Sequence, residues 1–372
     1  MSTHPISARN LVILSAPPVV SHGWGRYTRD LIAVLAGRGC AITLITSHDA
    51  PADPQLPLVG YHRLLPSVIH APRFLTARLL LAVPRIRHLS ATADAVYVFA
   101  EPYTLAAALI RPPRTITAHG TYVARSLQRQ GVARLVSRLY RAVYERSHIV
   151  CVSHYTAHTV SAVLPTVSTE VILNGVDVTR FRQKVPHPDK AGLTVLAVGQ
   201  VKERKGFHVL VAALSALRAY IPNVQGVFIG DLDDAAYVGA LRAQISAAGL
   251  GDSVRVLGRV DEPTLIGWYQ TADVFALPAL NVGGKFEGFG LVYLEASSAG
   301  LPTIGSHDCG AEDAILDGQT GLLIAQNDVP ALTSALRRLL GDEALRQAMG
   351  TAGRVYAEGQ TWDAVAARWL AR

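Results

Sequence analysis

A strand-then-helix alternation fills the first half of the chain, stops at a polar, proline-bearing stretch and starts again, and it restricts the fold more than any other feature. LVILSA (11–16) is a short apolar run ending at Pro17-Pro18, as a strand buried on both faces of a parallel sheet reads. Gly23, Gly25 and Tyr27 lead into YTRDLIAVLAGRGC, where Leu31, Val34 and Leu35 recur at helical spacing. Gly37 and Gly39 end that helix before the strand AITLIT (41–46), which completes one βαβ unit. Further strands are predicted at AVYVFA (95–100), TITAHG (115–120), HIVCVS (148–153) and VILNGV (171–176). RFRQKVPHPDKAG (180–192) reads as a linker. The pattern resumes with the strand LTVLAVG (193–199) and the helix FHVLVAALSALRAY (207–220). Strands follow at VQGVFIGD (224–231), VRVLG (254–258), VFALPA (274–279) and LPTIGS (301–306), with helices between them and a helical tail. The expected fold is α/β, with two Rossmann-like, doubly wound domains facing a cleft. They are placed at 1–184 and 185–355, with 356–372 a C-terminal helix packing back toward the first domain. Ligands of such sheets bind beyond the carboxyl ends of the strands, which puts the expected site in that cleft.

A length of 372 residues suits two domains, and 50% hydrophobic against 17% charged residues excludes a disordered chain. Cys40, Cys151 and Cys309 are odd in number and lack metal-ligand spacing, so they read as small buried hydrophobes in a reducing compartment. The N-terminal MSTHPISARN has no signal-peptide core, and no apolar run approaches the roughly 20 residues of a membrane-spanning helix. The expectation is a cytoplasmic protein, soluble or peripheral on the inner face of the plasma membrane. Residues 1–184 carry a net charge of +12 and residues 185–372 a net charge of −5. That asymmetry suggests an anionic partner for the first domain and a different one for the second.

The stretch Glu287-Gly288-Phe289-Gly290-Leu291-Val292-Tyr293-Leu294-Glu295 carries the most chemistry. Two glycines let the backbone approach a ligand, and the helix that follows presents unpaired N–H groups at its positive end, an arrangement suited to a diphosphate. Glu287 lies before the helix and Glu295 within it. Each carboxylate can accept from two hydroxyls, so the pair suits a sugar at one point and a ribose at another. The competing structural reading is a surface loop followed by a helix with an ordinary Glu. Upstream, Val198-Gly199-Gln200-Val201-Lys202-Glu203-Arg204-Lys205-Gly206 leaves a strand and enters a helix, and its three cations read either as a site for an anionic ligand or as a solvated charged turn.

The Glu-(seven residues)-Glu segment resembles the motif of retaining glycosyltransferase family 4, the glycosyl transferases group 1. Several neighbouring stretches are similar in family order: GWGRYTRDLIAVLAGRGCAITLIT (23–46), Asn174-Gly175-Val176-Asp177, ADVFALPAL (272–280), SSAGLPTIGS (297–306) and DGQTGLLI (317–324). The resemblance implies the GT-B fold and transfer of a glycosyl unit, with retained configuration, from a nucleoside diphosphate sugar to a hydroxyl. It implies no metal and no cofactor beyond that donor. Lys205 would stabilise the leaving phosphate, helped by Arg204 or Lys202. The amides of Phe289, Gly290 and Leu291 would cradle it, Glu295 would hold ribose and Glu287 would orient the sugar. The family's Arg is replaced by Gln200, so either Lys202 or Arg204 supplies the missing charge or the phosphate is held less firmly. His119, after a predicted strand, resembles the family's His-Gly at the acceptor-side wall and is expected to contact the transferred sugar. Gly23 and Gly25 are expected to form a loop facing the diphosphate or the acceptor. Asp313, with Cys309-Gly310 in place of Gly-Gly, is a degraded local match with a structural role.

HAPRFLTARLLLAVPRIRHL (70–89) and ARSLQRQGVARLVSRLYRAVYERSH (124–148) mix arginines with apolar residues at helical spacing. They read either as helices packed on the first sheet or as a surface for an anionic membrane, which would suit a glycan or lipid-linked acceptor. Nucleic-acid binding is not expected, since no recognition motif or aromatic interleaving is present. The setting implied is bacterial polysaccharide, lipopolysaccharide or glycolipid biosynthesis. The alternative is a catalytically weak nucleotide-sugar-binding subunit, motivated by Gln200. A dehydrogenase is disfavoured because Gly23-Trp24-Gly25 lacks the third glycine of a dinucleotide fingerprint.

Overall fold

A computed structural model of the chain describes residues 9–19, 23–51, 53, 55–68 and 74–371. Packing divides it into two compact units, Met1–Asn174 with Trp362–Arg372, and Gly175–Thr361.

The first unit holds strands β1 (Asn10–Leu14), β2 (Ala41–Ser47), β3 (Gly60–Leu65), β4 (Ala95–Val98), β5 (Arg114–Ala118), β6 (His148–Cys151) and β7 (Thr169–Val171). They form one parallel sheet in the order β3-β2-β1-β4-β5-β6-β7, so the winding reverses between β1 and β4. The central strands are buried on both faces, as the apolar run Leu11 to Leu14 requires. Strand β3 is absent from the sequence reading because GYHRLL lies at the sheet edge and keeps polar residues half in solvent. The segment 171–176, expected as a strand, contributes only Val171 to β7.

The helix Trp362–Leu370 belongs to this unit. Trp369 is fully buried with its ring edge-on to Tyr97 and Phe99, at centroid distances of 4.7 and 5.4 Å. Trp362 meets Tyr27 at 5.4 Å, and Arg38 pairs with Asp363. Two buried indoles hold a nine-residue helix that has too few turns to persist alone.

The second unit contains β8 (Thr194–Val198), β9 (Gln225–Ile229), β10 (Val254–Gly258), β11 (Val274–Ala276), β12 (Thr303–Ser306) and β13 (Gly321–Ile324). Their order is β10-β9-β8-β11-β12-β13, all parallel, with the reversal between β8 and β11. Residues 175–184, assigned to the first domain from the sequence, pack here instead. Phe181 is buried with its ring edge-on to Tyr269 at 5.3 Å. Residues 356–361 also stay with this unit, as part of the helix Glu343–Gly359 and the turn after it. That helix docks on Leu291–Ala299 through glycines, and a Cβ at Gly350 would lie 2.1 Å from the Gly300 carbonyl.

Candidate active site

In the second unit the loops after β8 and β11 lie on either side of the reversal, where a doubly wound sheet opens a crevice. The loop after β8 passes through a short turn, Glu203–Lys205, to Gly206, whose φ is 71°. A Cβ at Gly206 would lie 1.9 Å from the Pro278 carbonyl, so only glycine lets this loop pack against the one after β11. Leu280 donates its N–H to the Arg204 carbonyl at 2.8 Å, which ties the two loops together.

This contact gathers the cations around Glu287. Glu287 Oε2 accepts from Lys205 Nζ at 2.5 Å and from Arg204 Nη1 at 3.0 Å, while Arg204 also donates to the Phe286 carbonyl. Burial pushes the Glu287 carboxyl up, but Lys205 and Arg204 together overcome this and hold it at about 2. Burial lowers Lys205, with Glu287 opposing. Lys202 Nζ donates to Gln200 Oε1. Burial first, then Arg204 and Lys205, bring Lys202 down to about 8. Gln200 therefore supplies no charge but orients a lysine that can. Arg204 and Lys205 thus pair directly with Glu287, and Lys202 stands near enough to both for their charges to lower it.

The chain from Glu287 to the helix Leu291–Ala299 is clamped from below. Gly310 donates its N–H to the Glu287 carbonyl at 2.7 Å, and a Cβ on Gly310 would lie 2.0 Å from the Gly288 carbonyl. Gly310 is thus the residue of the Cys309-Gly310 pair that the site requires. Gly290 caps the helix with φ 82° and its carbonyl accepts from the Tyr293 amide at 3.0 Å, the Phe289 side chain is buried, and a helix start offers its first N–H groups no partner one turn back. Glu295, one turn into the helix, is buried. Its Oε1 faces Arg180 Nη1 at 3.2 Å and its Oε2 accepts from the Tyr269 hydroxyl at 3.0 Å. Asp313, from the weaker local match, accepts from Tyr356 Oη through its carbonyl at 2.6 Å. The second unit therefore brings Arg204 and Lys205 onto Glu287 with Lys202 beside them, and carries Phe289, Gly290, Leu291 and Glu295 on the chain that follows, Glu295 with partners of its own.

The remaining candidates lie in the first unit. Gly23 and Gly25 do not form a loop. They are the first turn of the helix Gly23–Gly37, where a Cβ at Gly25 would lie 2.0 Å from the Val19 carbonyl. His119 is half-buried beyond β5, edge-on to Tyr27 at 4.6 Å. Its Nε2 lies 2.9 Å from the Phe99 carbonyl. A carbonyl only accepts, so Nε2 carries the proton and Nδ1 is an acceptor. Burial lowers this imidazole to about 4, which keeps it neutral near pH 7. Its backbone N–H donates to Glu101 Oε1 at 2.6 Å. Glu101 is 1% exposed and is raised to about 7 by burial, against hydrogen bonds from backbone amides and the Trp24 indole.

The sequence reading missed Glu101, Arg180 and Tyr269. Glu101 had a signal, since it follows the predicted strand 95–100 at its carboxyl end. Arg180 had a weaker one, three residues beyond Asp177. Among the described residues, no group of three or more His, Cys, Asp or Glu could hold a metal ion, and no helix is long and apolar enough to cross a membrane.

Two parallel, doubly wound units, the second with a glycine-capped helix start following a loop that pairs with two cations, define a GT-B protein. Residues 21–180 match Glycosyltransferase Family 4 and residues 177–356 match Glycosyl transferases group 1; the chain belongs to this glycosyltransferase family. It is 34% identical to a GDP-mannose-dependent alpha-(1-6)-phosphatidylinositol monomannoside mannosyltransferase of Mycolicibacterium smegmatis, over 56% of this chain and 57% of that protein. It is 36% identical to a D-inositol 3-phosphate glycosyltransferase of an Arthrobacter species, over 52% and 47%. The chain thus spans about half the length of the curated relatives it matches. Among solved structures, sucrose-phosphate synthase from Thermosynechococcus elongatus shares the fold with a TM-score of 0.80 at 23% identity, over 97% of both chains. Anabaena HepE in complex with UDP and glucose shares it with a TM-score of 0.76 at 16% identity, over 97% of this chain and 98% of that one.

Proposed function

We propose that this protein transfers a sugar from a nucleoside diphosphate sugar to a hydroxyl of a glycan or lipid-linked acceptor, with retained configuration, in bacterial polysaccharide, lipopolysaccharide or glycolipid biosynthesis. The observation that carries the reading is the gathering of Lys202, Arg204 and Lys205 near Glu287, on a loop tied to the one that leads into the N-terminal end of the helix Leu291–Ala299. A diphosphate gains negative charge as the glycosidic bond breaks, and prepositioned cations and amides stabilise that change at little reorganisation cost. Glu287, held ionised by its two cations, is assigned to the hydroxyls of the donor sugar, and Glu295 to the ribose. His119, neutral with Nδ1 as acceptor, is assigned to a hydroxyl of the transferred sugar. No protein nucleophile is invoked: the leaving phosphate takes the acceptor proton as the new bond forms on the same face. No metal or cofactor beyond the donor is invoked either.

The first unit is proposed to rest on an anionic membrane. The helices Leu75–Leu89 and Arg134–Tyr144 contain no acidic residue, and Leu81, Leu135 and Leu139 are exposed among their arginines. Residues 70–73 of the first basic stretch lie outside the described residues.

The experiment is a thermal-shift screen against UDP-, GDP- and ADP-sugars with wild type, Lys205→Ala and Glu295→Ala. A donor at a hundred times its dissociation constant adds about 2.7 kcal/mol of stability. The expected result is a shift with one nucleotide class that both variants lose. A protein that no donor stabilises refutes the donor site. Donor binding without transfer to any of a wide acceptor panel would favour a binding subunit instead.

A further inference from the structure

Glu295 is held from both sides. One protein donor reaches each of its oxygens, Arg180 on Oε1 and the Tyr269 hydroxyl on Oε2. A carboxylate oxygen offers two lone-pair positions, so this arrangement leaves one on each oxygen. A vicinal diol needs that pattern, with two acceptors side by side in one plane. A carboxylate free to rotate about its last bond would present it only part of the time.

The aim of Arg180 is itself fixed. Glu262 takes its Nε and Nη2, which sets the plane of the guanidinium and turns Nη1 toward Glu295. The Phe181 ring lies 4.8 Å from the guanidinium carbon. The short turn carrying Arg180 is in turn capped by Asp177, whose Oδ1 accepts from the amides of Thr179 at 3.0 Å and Arg180 at 3.3 Å. A line of contacts thus runs from Asp177, the last residue of Asn-Gly-Val-Asp, through Arg180 to Glu295. An ion pair serving only to anchor this turn would be complete with Glu262. The second carboxylate and the tyrosine on its far oxygen have no such explanation.

We propose that Arg180 and Tyr269 are positioning residues that lock the Glu295 carboxylate in the orientation that accepts the 2′- and 3′-hydroxyls of the donor's ribose. This rests on the assignment of Glu295 to ribose above. Arg180 and Tyr269 themselves touch no substrate; they act through Glu295.

The test measures dissociation constants by calorimetry for GDP and 2′-deoxy-GDP, and for UDP and 2′-deoxy-UDP. The proteins are wild type, Tyr269→Phe, Arg180→Lys and Glu295→Gln. Wild type is expected to prefer the ribonucleotide on the order of tenfold or more, the loss expected when a charged acceptor is left unpaired. Tyr269→Phe and Arg180→Lys are each expected to reduce that ratio severalfold, and Glu295→Gln to reduce it at least as far. A merely structural role would weaken both members of each nucleotide pair equally and leave the ratio unchanged. Tyr269→Phe removes one hydroxyl and keeps the ring packing, so the proposal remains testable if Arg180→Lys does not fold. An unchanged ratio in Tyr269→Phe and in any folded Arg180→Lys, with Glu295→Gln abolishing it, overturns the positioning role and leaves the ribose assignment standing. An unchanged ratio in Glu295→Gln removes the ribose assignment and the proposal with it. No binding of either nucleotide by wild type refutes the donor site as a whole.

Discussion

Glu101→Gln should change how stability depends on pH, in a direction set by burial. Its carboxyl moves from an ordinary 4.5 to about 7 in the folded protein, because burial disfavours the ion and the groups acting on it are amides and an indole rather than cations. A folded-state pKa raised above the unfolded value stabilises fully below about 4.5, and this stabilisation is lost as pH rises through about 7. The full effect is about 3 kcal/mol, and between pH 5 and 8 about 2 to 3 kcal/mol of it should appear. His119 opposes it. Its imidazole falls from 6.5 to about 4, so it removes stability as pH drops over much of the same range, and wild type should look nearly flat there. Glutamine cannot ionise, so the wild-type-minus-variant difference isolates Glu101. Urea unfolding followed by tryptophan fluorescence suits the test, because Trp24, Trp362 and Trp369 lie in the first unit and only Trp268 in the second. The variant should gain on wild type by that amount from pH 5 to 8. A difference that stays constant over this range would mean that Glu101 titrates like a surface carboxyl and that the reasoning from burial is wrong.

Two further outcomes follow from the packing. Gly206→Ala combines a left-handed backbone with a Cβ 1.9 Å from the Pro278 carbonyl. It should cost roughly 2–4 kcal/mol by urea midpoint, whereas Gly239→Ala, a helical position with nothing within 4 Å, should be neutral or stabilising. Replacing the exposed Leu81 and Leu135 by glutamate should abolish sedimentation with vesicles containing anionic lipid while leaving donor binding intact; equal sedimentation of wild type with neutral and anionic vesicles would refute the membrane surface.

The alternation of apolar runs and amphipathic helices determined the two parallel sheets, because strands buried on both faces must be continuously apolar and their crossover helices must show a 3.6-residue period. The motif at 287–295 likewise located a helix start with one carboxylate in the loop before it and one inside it, since local chain geometry alone sets that spacing. Edge strands β3 and β13 escaped because a partner on one side supplies the order that their own sequences lack. The ends of the units escaped for a related reason: whether 175–184 belongs with what precedes or follows depends on where Phe181 finds a pocket.

Only the tertiary structure decided how the charges pair. Lys205 and Arg204 are separated from Glu287 by some eighty residues, and their meeting depends on a glycine that lets two loops touch. The same holds for Arg180 and Glu295, and for Glu101 and the His119 amide. Sequence determines the local periodicities because they repeat over a few residues. The electrostatic state of a side chain depends on desolvation and on neighbours brought from afar, and those exist only once the chain has packed.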